Sequence, residues 1–302
     1  MLDSFSPSAA GIQTGYDEQS CKQINTCDSY TTAQHLQAER LINDLPEYIR
    51  EDKLELYYQP QIDTRTGKTR SVEALVRWKH VIAGDIPPDI FIPLAEERGY
   101  IHELTEWVLN KALFQMRQWM NLDIHLNIAV NLSVHCFDDN TLPSKISDLL
   151  ETWAVPAERL TLEITEGVMI RDTDRIIGIL TELKNTGIGL SLDDFGSGYS
   201  SLSYLSNLPI NELKIDRSLV MAMEQNSKNM TIVQSTIALA RKLGMVVVAE
   251  GVENFRSYMN LLNFNCNTVQ GYYFSAPVNL ENFTDWLLDS DWGMQSGECA
   301  LN

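Results

Sequence analysis

Apolar and β-branched residues recur in short runs along the chain, and helical patterns separate most of these runs. Three helical patterns, at residues 102–120, 172–185 and 232–243, place apolar residues three and four positions apart, on one helix face. The runs between them predict eight strands, at residues 54–62, 72–78, 124–132, 160–165, 189–195, 212–216, 245–250 and 268–274. Strands that alternate with helices in this number are typical of a TIM (β/α)8 barrel, a fold of the α/β class.

The connection between the first two predicted strands departs from the ideal barrel. Only residues 63–70 join them, and this segment contains the turn sequence Thr66-Gly67-Lys68. Parallel neighbours need a crossover of a dozen or more residues. The sequence therefore predicts a modified TIM barrel whose first strand is antiparallel to the second.

Composition along the chain predicts three segments. Residues 1–36 are rich in Ser, Thr, Gln, Asn and Gly and poor in aliphatic residues, which is typical of a disordered or linker-like segment. Residues 37–289 contain no Pro/Gly/Ser-rich break and form the predicted barrel domain, and residues 290–302 form a predicted C-terminal tail.

Two further patterns bear on the compartment. The longest uninterrupted apolar run, at residues 245–249, is far shorter than the ~20 residues that span a bilayer, so we expect no membrane span. The five cysteines are odd in number and scattered, which favours a reducing, cytoplasmic location.

The charge balance restricts the class of partner. The 302 residues include 23 Lys and Arg against 41 Asp and Glu, for a formal net charge of −18. Proteins that bind DNA or RNA normally carry a basic surface, so we expect neither as a partner. A small anionic ligand remains compatible with this charge, because bound metal ions invert the local electrostatics of an acidic site.

A polar residue ends or interrupts nearly every predicted strand. Strand C-termini converge on one face of a barrel, where active sites are built. Carboxylates gathered there repel one another and stay ionised only if cations are bound. Oxygen ligands without histidine or cysteine suit Mg²⁺ or Mn²⁺. The residues concerned are Glu73, Asn131, Glu163, Glu166, Asp193, Asp194, Lys214, Glu250 and Gln270.

Each of these residues also has an ordinary structural explanation. Asp193 and Asp194 precede a glycine and could simply begin a turn, and Lys214 could extend its ammonium to water. Taken together, however, so many polar residues on strands conflict with burial in a core unless they form a site.

Nine segments, in this order along the chain, carry a family resemblance. They are Tyr58-Gln-Pro-Gln61, Glu73-Ala-Leu-Val-Arg-Trp78, Phe91-Ile-Pro-Leu-Ala-Glu-Glu97, Asn131-Leu-Ser133, Glu163-Ile-Thr-Glu166, Asp193-Asp-Phe-Gly-Ser-Gly-Tyr-Ser-Ser-Leu202, Leu213-Lys-Ile-Asp216 and Ala249-Glu-Gly-Val-Glu253, followed by Gln270-Gly-Tyr-Tyr-Phe274. Over residues 37–288 the chain resembles the EAL domain family, the cyclic-di-GMP phosphodiesterases.

The resemblance implies a site with two divalent ions, Mg²⁺ or Mn²⁺. Glu73, Asn131, Glu163 and Asp193 resemble the ligands of one ion. Asp193 and Asp194 resemble the ligands of the second, with Asp193 bridging the two.

The resemblance also implies catalytic and substrate-binding roles. Glu250 is the expected general base, Lys214 is expected to hold the attacking water, and Glu166 is expected to anchor the loop after the fifth strand. Arg77 would contact a phosphate and Gln59 the substrate. The last two residues implied in the site are Gln270, which would fix a metal-bound water, and Glu253.

The activity implied is hydrolysis of cyclic-di-GMP to linear pGpG. The alternative is a cyclic-di-GMP receptor that does not hydrolyse its ligand and acts through contacts with a protein partner. A metal-dependent barrel enzyme with another chemistry, such as enolisation, would explain the carboxylates but not the series of motifs. The family likeness further implies a homodimer and leaves room for a regulatory protein partner.

Overall fold

The structure is a computed structural model that describes residues 38–167, 173–196, 205 and 207–293. The predicted segment 1–36 and residues 294–302 of the predicted tail lie outside the described residues.

The strands form a closed barrel with one short extension. β1, β2 and β4 to β9 follow one another around the barrel, and pairing of β1 with both β2 and β9 closes it. β3 pairs with the end of β2 and lies outside the barrel. This confirms the predicted α/β barrel of eight strands. The bounds are β1 (Glu55–Asp63), β2 (Lys68–His80), β3 (Gly84–Ile86), β4 (Asn127–Asn131), β5 (Leu160–Thr165), β6 (Gly189–Phe195), β7 (Glu212–Ile215), β8 (Val246–Ala249) and β9 (Thr268–Val269).

The first strand is antiparallel, as the short connection predicts. β1 pairs antiparallel with β2 and with β9, whereas the other barrel neighbours are parallel. The register sets Gln59 opposite Glu73 and Glu55 opposite Arg77. The first half of β1 therefore lies at the barrel end where the parallel strands finish.

Helices cover the outside of the barrel. Asparagine side chains cap three of them, because Asn226, Asn254 and Asn279 accept hydrogen bonds from backbone N–H groups of the first turns. None of the helices in the described part of the chain is long and apolar enough to cross a membrane. The bounds are α1 (Leu45–Arg50), α2 (Pro88–Glu97), α3 (Ile101–Asn121), α4 (Leu142–Trp153), α5 (Thr173–Asn185), α6 (Arg217–Ala222), α7 (Ser227–Lys242), α8 (Phe255–Asn263) and α9 (Leu280–Asp289).

The two faces of the strands have different chemistry. On β7, Leu213 and Ile215 belong to the apolar core, whereas Lys214 between them points into the barrel. On β5, Leu162 belongs to the core and Glu163 points inward. Branched apolar side chains usually fill a TIM barrel, so charged side chains at this depth mark a departure that needs a functional reason.

The last predicted strand is wrong in length. The sequence predicts residues 268–274, but β9 ends at Val269. After Gln270 the chain turns, with the N–H of Phe274 donating to the carbonyl of Gly271 at 3.0 Å. The aromatic residues of this segment pack instead against Trp292, whose ring centroid lies 5.0 Å from that of Phe274. Packing onto the barrel thus continues beyond the predicted boundary at residue 289.

The turn after β9 depends on a glycine. A Cβ atom at Gly271 would lie 2.2 Å from the carbonyl oxygen of Val252, in the loop after β8. We expect Gly271→Ala to lower the free energy of unfolding by about 1–3 kcal/mol, because backbone atoms would have to shift. Urea denaturation measures this. The matched control is Gly178→Ala on the exposed face of α5, where a Cβ meets nothing within 4 Å and the stability should rise by up to about 1 kcal/mol. Equal stability of both variants would contradict the expectation.

Candidate functional site

A cleft of about 970 Å³ opens at the barrel end where the parallel strands finish. Its lining combines strand ends with the loops that follow them. Most of the residues predicted for the site line it, namely Gln59, Glu73, Arg77, Asn131, Asp193, Asp194, Glu250, Glu253 and Gln270. Glu163 and Lys214 lie in the barrel interior, fully buried.

Lys214 is the central cation of the site. Its Nζ lies 2.7 Å from Glu250 Oε1, 2.9 Å from Glu163 Oε2, 3.3 Å from Asp193 Oδ2 and 3.5 Å from Glu73 Oε2. Burial by itself would lower the pKa of Lys214, but these carboxylates raise it well above its ordinary value. The ammonium therefore stays charged, and it holds the four carboxylates close together.

The carboxylates respond unequally to this environment. Burial and the neighbouring Glu73 raise the pKa of Glu163 well above its usual range. Burial would also raise the pKa of Glu73, but Lys214 and hydrogen bonds from amide groups hold it below its ordinary value. Burial raises the pKa of Glu250 to about 7. Such a separation of pKa values on neighbouring carboxyl groups is typical of functional sites.

Asp193 and Asp194 form the most concentrated acidic part of the cleft. Asp194 has a left-handed backbone (φ 58°), and its N–H donates to Asp193 Oδ1 at 2.8 Å. Burial and the Asp193 carboxylate raise the pKa of Asp194. With Glu250, these two residues offer carboxylate oxygens that all lie within 4.8 Å of one another.

This donor set fits a divalent cation. Carboxylate oxygens without histidine or cysteine match the ligand preference of Mg²⁺ and Mn²⁺. Glu163 Oε1 is buried and has no hydrogen-bond partner among the described residues. An orphaned buried carboxylate oxygen is costly unless a ligand or ion satisfies it.

Amide side chains orient Glu73. Asn131 Nδ2 donates to Glu73 Oε1 at 2.7 Å, and Gln270 Nε2 donates to Glu73 Oε2 at 2.6 Å. Gln270 Nε2 also donates to Gln59 Oε1 at 2.8 Å. The antiparallel pairing of β1 with β2 sets Gln59 opposite Glu73, which brings the two side chains to the same level.

Arg77 lies at the cleft on the same face of β2 as Glu73. Its guanidinium stacks over the Tyr57 ring at 5.3 Å, and Nη1 donates to the carbonyl of Val76 at 2.8 Å. Tyr57 therefore limits where the guanidinium can point.

Glu166 and Glu253 lie away from the carboxylates around Lys214. Glu253 lies on the loop after β8, exposed at the cleft. Glu166 follows β5 and does not belong to the cleft lining, and its Oε2 is buried without a hydrogen-bond partner among the described residues. The loop that Glu166 was expected to anchor falls largely outside the described residues, at 197–204.

Two residues, one in the cleft and one buried behind it, were not predicted from the sequence. Asp216 lines the cleft, and its Oδ1 accepts hydrogen bonds from the N–H and hydroxyl of Ser218. It lies two residues after Lys214 within the predicted strand 212–216, a spacing that predicts the same strand face, although β7 ends at Ile215. Gln61 lies two residues after Gln59 on β1. This spacing predicts that both side chains point to the same face of the strand.

Comparison with known proteins extends these observations. The family model described as "EAL domain" matches residues 42–277. The chain is 41% identical over 256 residues to the cyclic di-GMP phosphodiesterase NbdA of Pseudomonas aeruginosa, a match covering 84% of this chain and 32% of that protein. It is 39% identical over 244 residues to the oxygen sensor protein DosP of Escherichia coli strain K12, covering 80% of this chain and 30% of that protein. The chain thus spans roughly a third of the length of these curated relatives.

Solved structures share the fold. One is described as the PaMucR phosphodiesterase in complex with c-di-GMP, with a TM-score of 0.76 and 40% identity, covering 81% of this chain and 99% of that chain. Another is the EAL enzyme Bd1971 with cAMP and cyclic-di-GMP bound, with a TM-score of 0.78 and 30% identity, covering 87% of this chain and 72% of that chain. The family model covers most of the chain and confirms the resemblance, so the chain belongs to the EAL domain family.

Proposed function

We propose that this chain is a divalent-metal-dependent phosphodiesterase that hydrolyses cyclic di-GMP to linear pGpG. The observation that carries the proposal is the Lys214-centred cluster of carboxylates beside Asp193 and Asp194, at the floor of an open cleft. The relative NbdA is named as a cyclic di-GMP phosphodiesterase, and a structure of similar fold holds c-di-GMP. Both support the choice of substrate.

The negative charge of the site requires cations between it and an anionic substrate. Glu73, Asn131, Glu163 and Asp193 would hold one divalent ion, and Asp193 with Asp194 would hold a second. Bound there, two divalent ions would supply positive charge that stabilises a phosphodiester during hydrolysis and would make water more acidic. Mg²⁺ and Mn²⁺ both suit these oxygen donors.

The chain's own residues would act on water and substrate. Glu250 is the proposed general base, since its carboxylate lies in the cleft beside Asp193 and Asp194 and in contact with Lys214. Lys214 would hold Glu250 and the attacking water in place, through the 2.7 Å contact between its Nζ and Glu250 Oε1. Arg77 would contact a phosphate at the rim of the cleft, and Gln59 would contact the substrate from β1.

A turnover assay tests the proposal. We expect the purified chain to convert cyclic di-GMP to pGpG in the presence of Mg²⁺ or Mn²⁺, and we expect EDTA to abolish product formation until excess metal is restored. Chromatography of the nucleotides measures both. If the chain binds cyclic di-GMP but forms no linear product with either metal, the phosphodiesterase proposal fails and the receptor alternative is favoured. No binding at all would refute both.

A further inference from the structure

A chain of hydrogen-bonded amides runs through the barrel interior behind Glu73. Ser71 Oγ donates to Gln61 Oε1 at 2.6 Å, and Gln61 Nε2 donates to Gln270 Oε1 at 2.9 Å. Gln270 Nε2 then donates to Gln59 Oε1 at 2.8 Å and to Glu73 Oε2 at 2.6 Å. The last hydrogen bond of this series runs from Gln59 Nε2 to the carbonyl of Ser275, at 3.1 Å.

The hydrogen bonds of this series all run in one direction, from Ser71 through Gln61 to Gln270. This direction sets which end of the Gln270 amide faces Glu73. A glutamine amide has a donating and an accepting end. Because Gln61 donates to Gln270 Oε1, the Nε2 end of Gln270 is turned toward the Glu73 carboxylate. Were the amide reversed, two oxygens would face each other, and the hydrogen bond that orients Glu73 would be lost.

Gln61 itself stays away from the cleft. Its side chain is 2% exposed, and it is not among the residues that line the cleft. It therefore contacts neither substrate nor solvent there, and any influence on the site passes through Gln270. Partners that orient a ligand from behind commonly change metal affinity or activity by 10- to 100-fold.

We propose that Gln61 is a positioning residue which, by donating to Gln270 Oε1, fixes the orientation of Glu73 as a ligand for a divalent cation. The proposal rests on the metal site of the proposed function, and not on the identity of the substrate. A purely structural role is the competing explanation, since Ser71 lies opposite Gln61 in the β1–β2 register and the ladder is irregular between Gln61 and Ile62. In that case the side-chain pair would only hold the hairpin together.

The test uses Gln61→Met, which keeps the volume of the side chain and introduces no charge while removing the donor. We expect the Kd for Mn²⁺, measured by calorimetry on the chain without substrate, to rise about tenfold. In turnover of cyclic di-GMP, kcat should fall about tenfold while KM changes less than twofold, because no substrate contact is removed. Gln118→Met, on the exposed part of α3, is the matched control and should leave both values unchanged.

A double-mutant cycle separates positioning from structure. If Gln61 acts through Gln270, then Gln61→Met should add less than twofold to the loss of Mn²⁺ affinity already caused by Gln270→Met. Ser71→Ala, which leaves the Gln61–Gln270 bond in place, should have a smaller effect than Gln61→Met. Full additivity with Gln270→Met would overturn the proposal in favour of a structural role, as would a lower melting temperature of Gln61→Met with unchanged Mn²⁺ affinity.

The outcome can be read independently of the enzymatic reaction. If the wild-type chain binds Mn²⁺ but releases no pGpG, the proposed hydrolysis fails, and the Mn²⁺ affinities still decide whether Gln61 positions Glu73. If the wild-type chain hydrolyses cyclic di-GMP and Gln61→Met matches it in Kd and kcat, the positioning role alone fails.

Discussion

Lys214→Met is expected to lower turnover of cyclic di-GMP by at least about 100-fold, the scale of losing a preorganised electrostatic element. The ammonium is fully buried and contacts Glu73, Glu163, Asp193 and Glu250. Methionine occupies a similar volume but carries no charge, so the proposed base and metal ligands would lose the group that holds them together.

The same variant should be less stable without metal and should regain stability with it. Removing one partner of a buried ion pair typically costs about 3–5 kcal/mol, because the remaining charges are left uncompensated. Mn²⁺ would supply positive charge at the cluster, so it should raise the melting temperature of Lys214→Met more than that of the wild type. Scanning fluorimetry with and without Mn²⁺ measures this.

The control for Lys214→Met removes an exposed lysine from a helix. Lys242→Met, in the last turn of α7, changes the net charge equally but touches no part of the cluster. It should keep wild-type turnover. If Lys214→Met retained turnover within threefold of the wild type, the central cation would have no role in the reaction.

Glu73→Gln is expected to be nearly as damaging, with turnover reduced at least about 100-fold and Mn²⁺ affinity weakened at least about tenfold. Both Glu73 oxygens accept short hydrogen bonds, from Asn131 and Gln270. A glutamine can accept at only one of its two terminal atoms, so one of these donors would face an NH₂ group, and the charge that binds a cation would be gone.

The folded state should survive Glu73→Gln, because Lys214 keeps its contacts with the other carboxylates. Calorimetric titration with Mn²⁺ and a turnover assay together measure the effect, and Glu103→Gln on the exposed face of α3 provides the control for loss of one negative charge. Near-normal Mn²⁺ affinity in Glu73→Gln would remove Glu73 from the set of metal ligands.

The net charge of −18 has two components in this structure. Many carboxylates are exposed to solvent. Examples are Glu47 on α1 and Glu51 at its C-terminal end, which both lie near Lys53. Those around Lys214 are buried and act as a group. Under the proposed function, an anionic dinucleotide would bind at this cluster with divalent cations between its phosphates and the carboxylates.

The class of fold and the positions of the polar strand ends follow from the amino-acid sequence. Alternating apolar runs and helical spacing predict the barrel, since these periodicities follow from backbone geometry. The short connection before Lys68 predicts the antiparallel β1, because chain length limits the possible crossovers. The family motifs marked Glu73, Asp193 and Lys214 as site residues, and the structure brings them together.

The interactions among these residues follow from the tertiary structure. The length of β9 could not be predicted, because packing of Phe274 on Trp292, distant in sequence, overrides the local strand preference. The direction of the hydrogen bonds from Gln61 through Gln270 depends on side chains from opposite ends of the chain meeting inside a closed barrel. Periodicity specifies which face a side chain occupies, but only the closed fold sets which end of an amide meets which carboxylate.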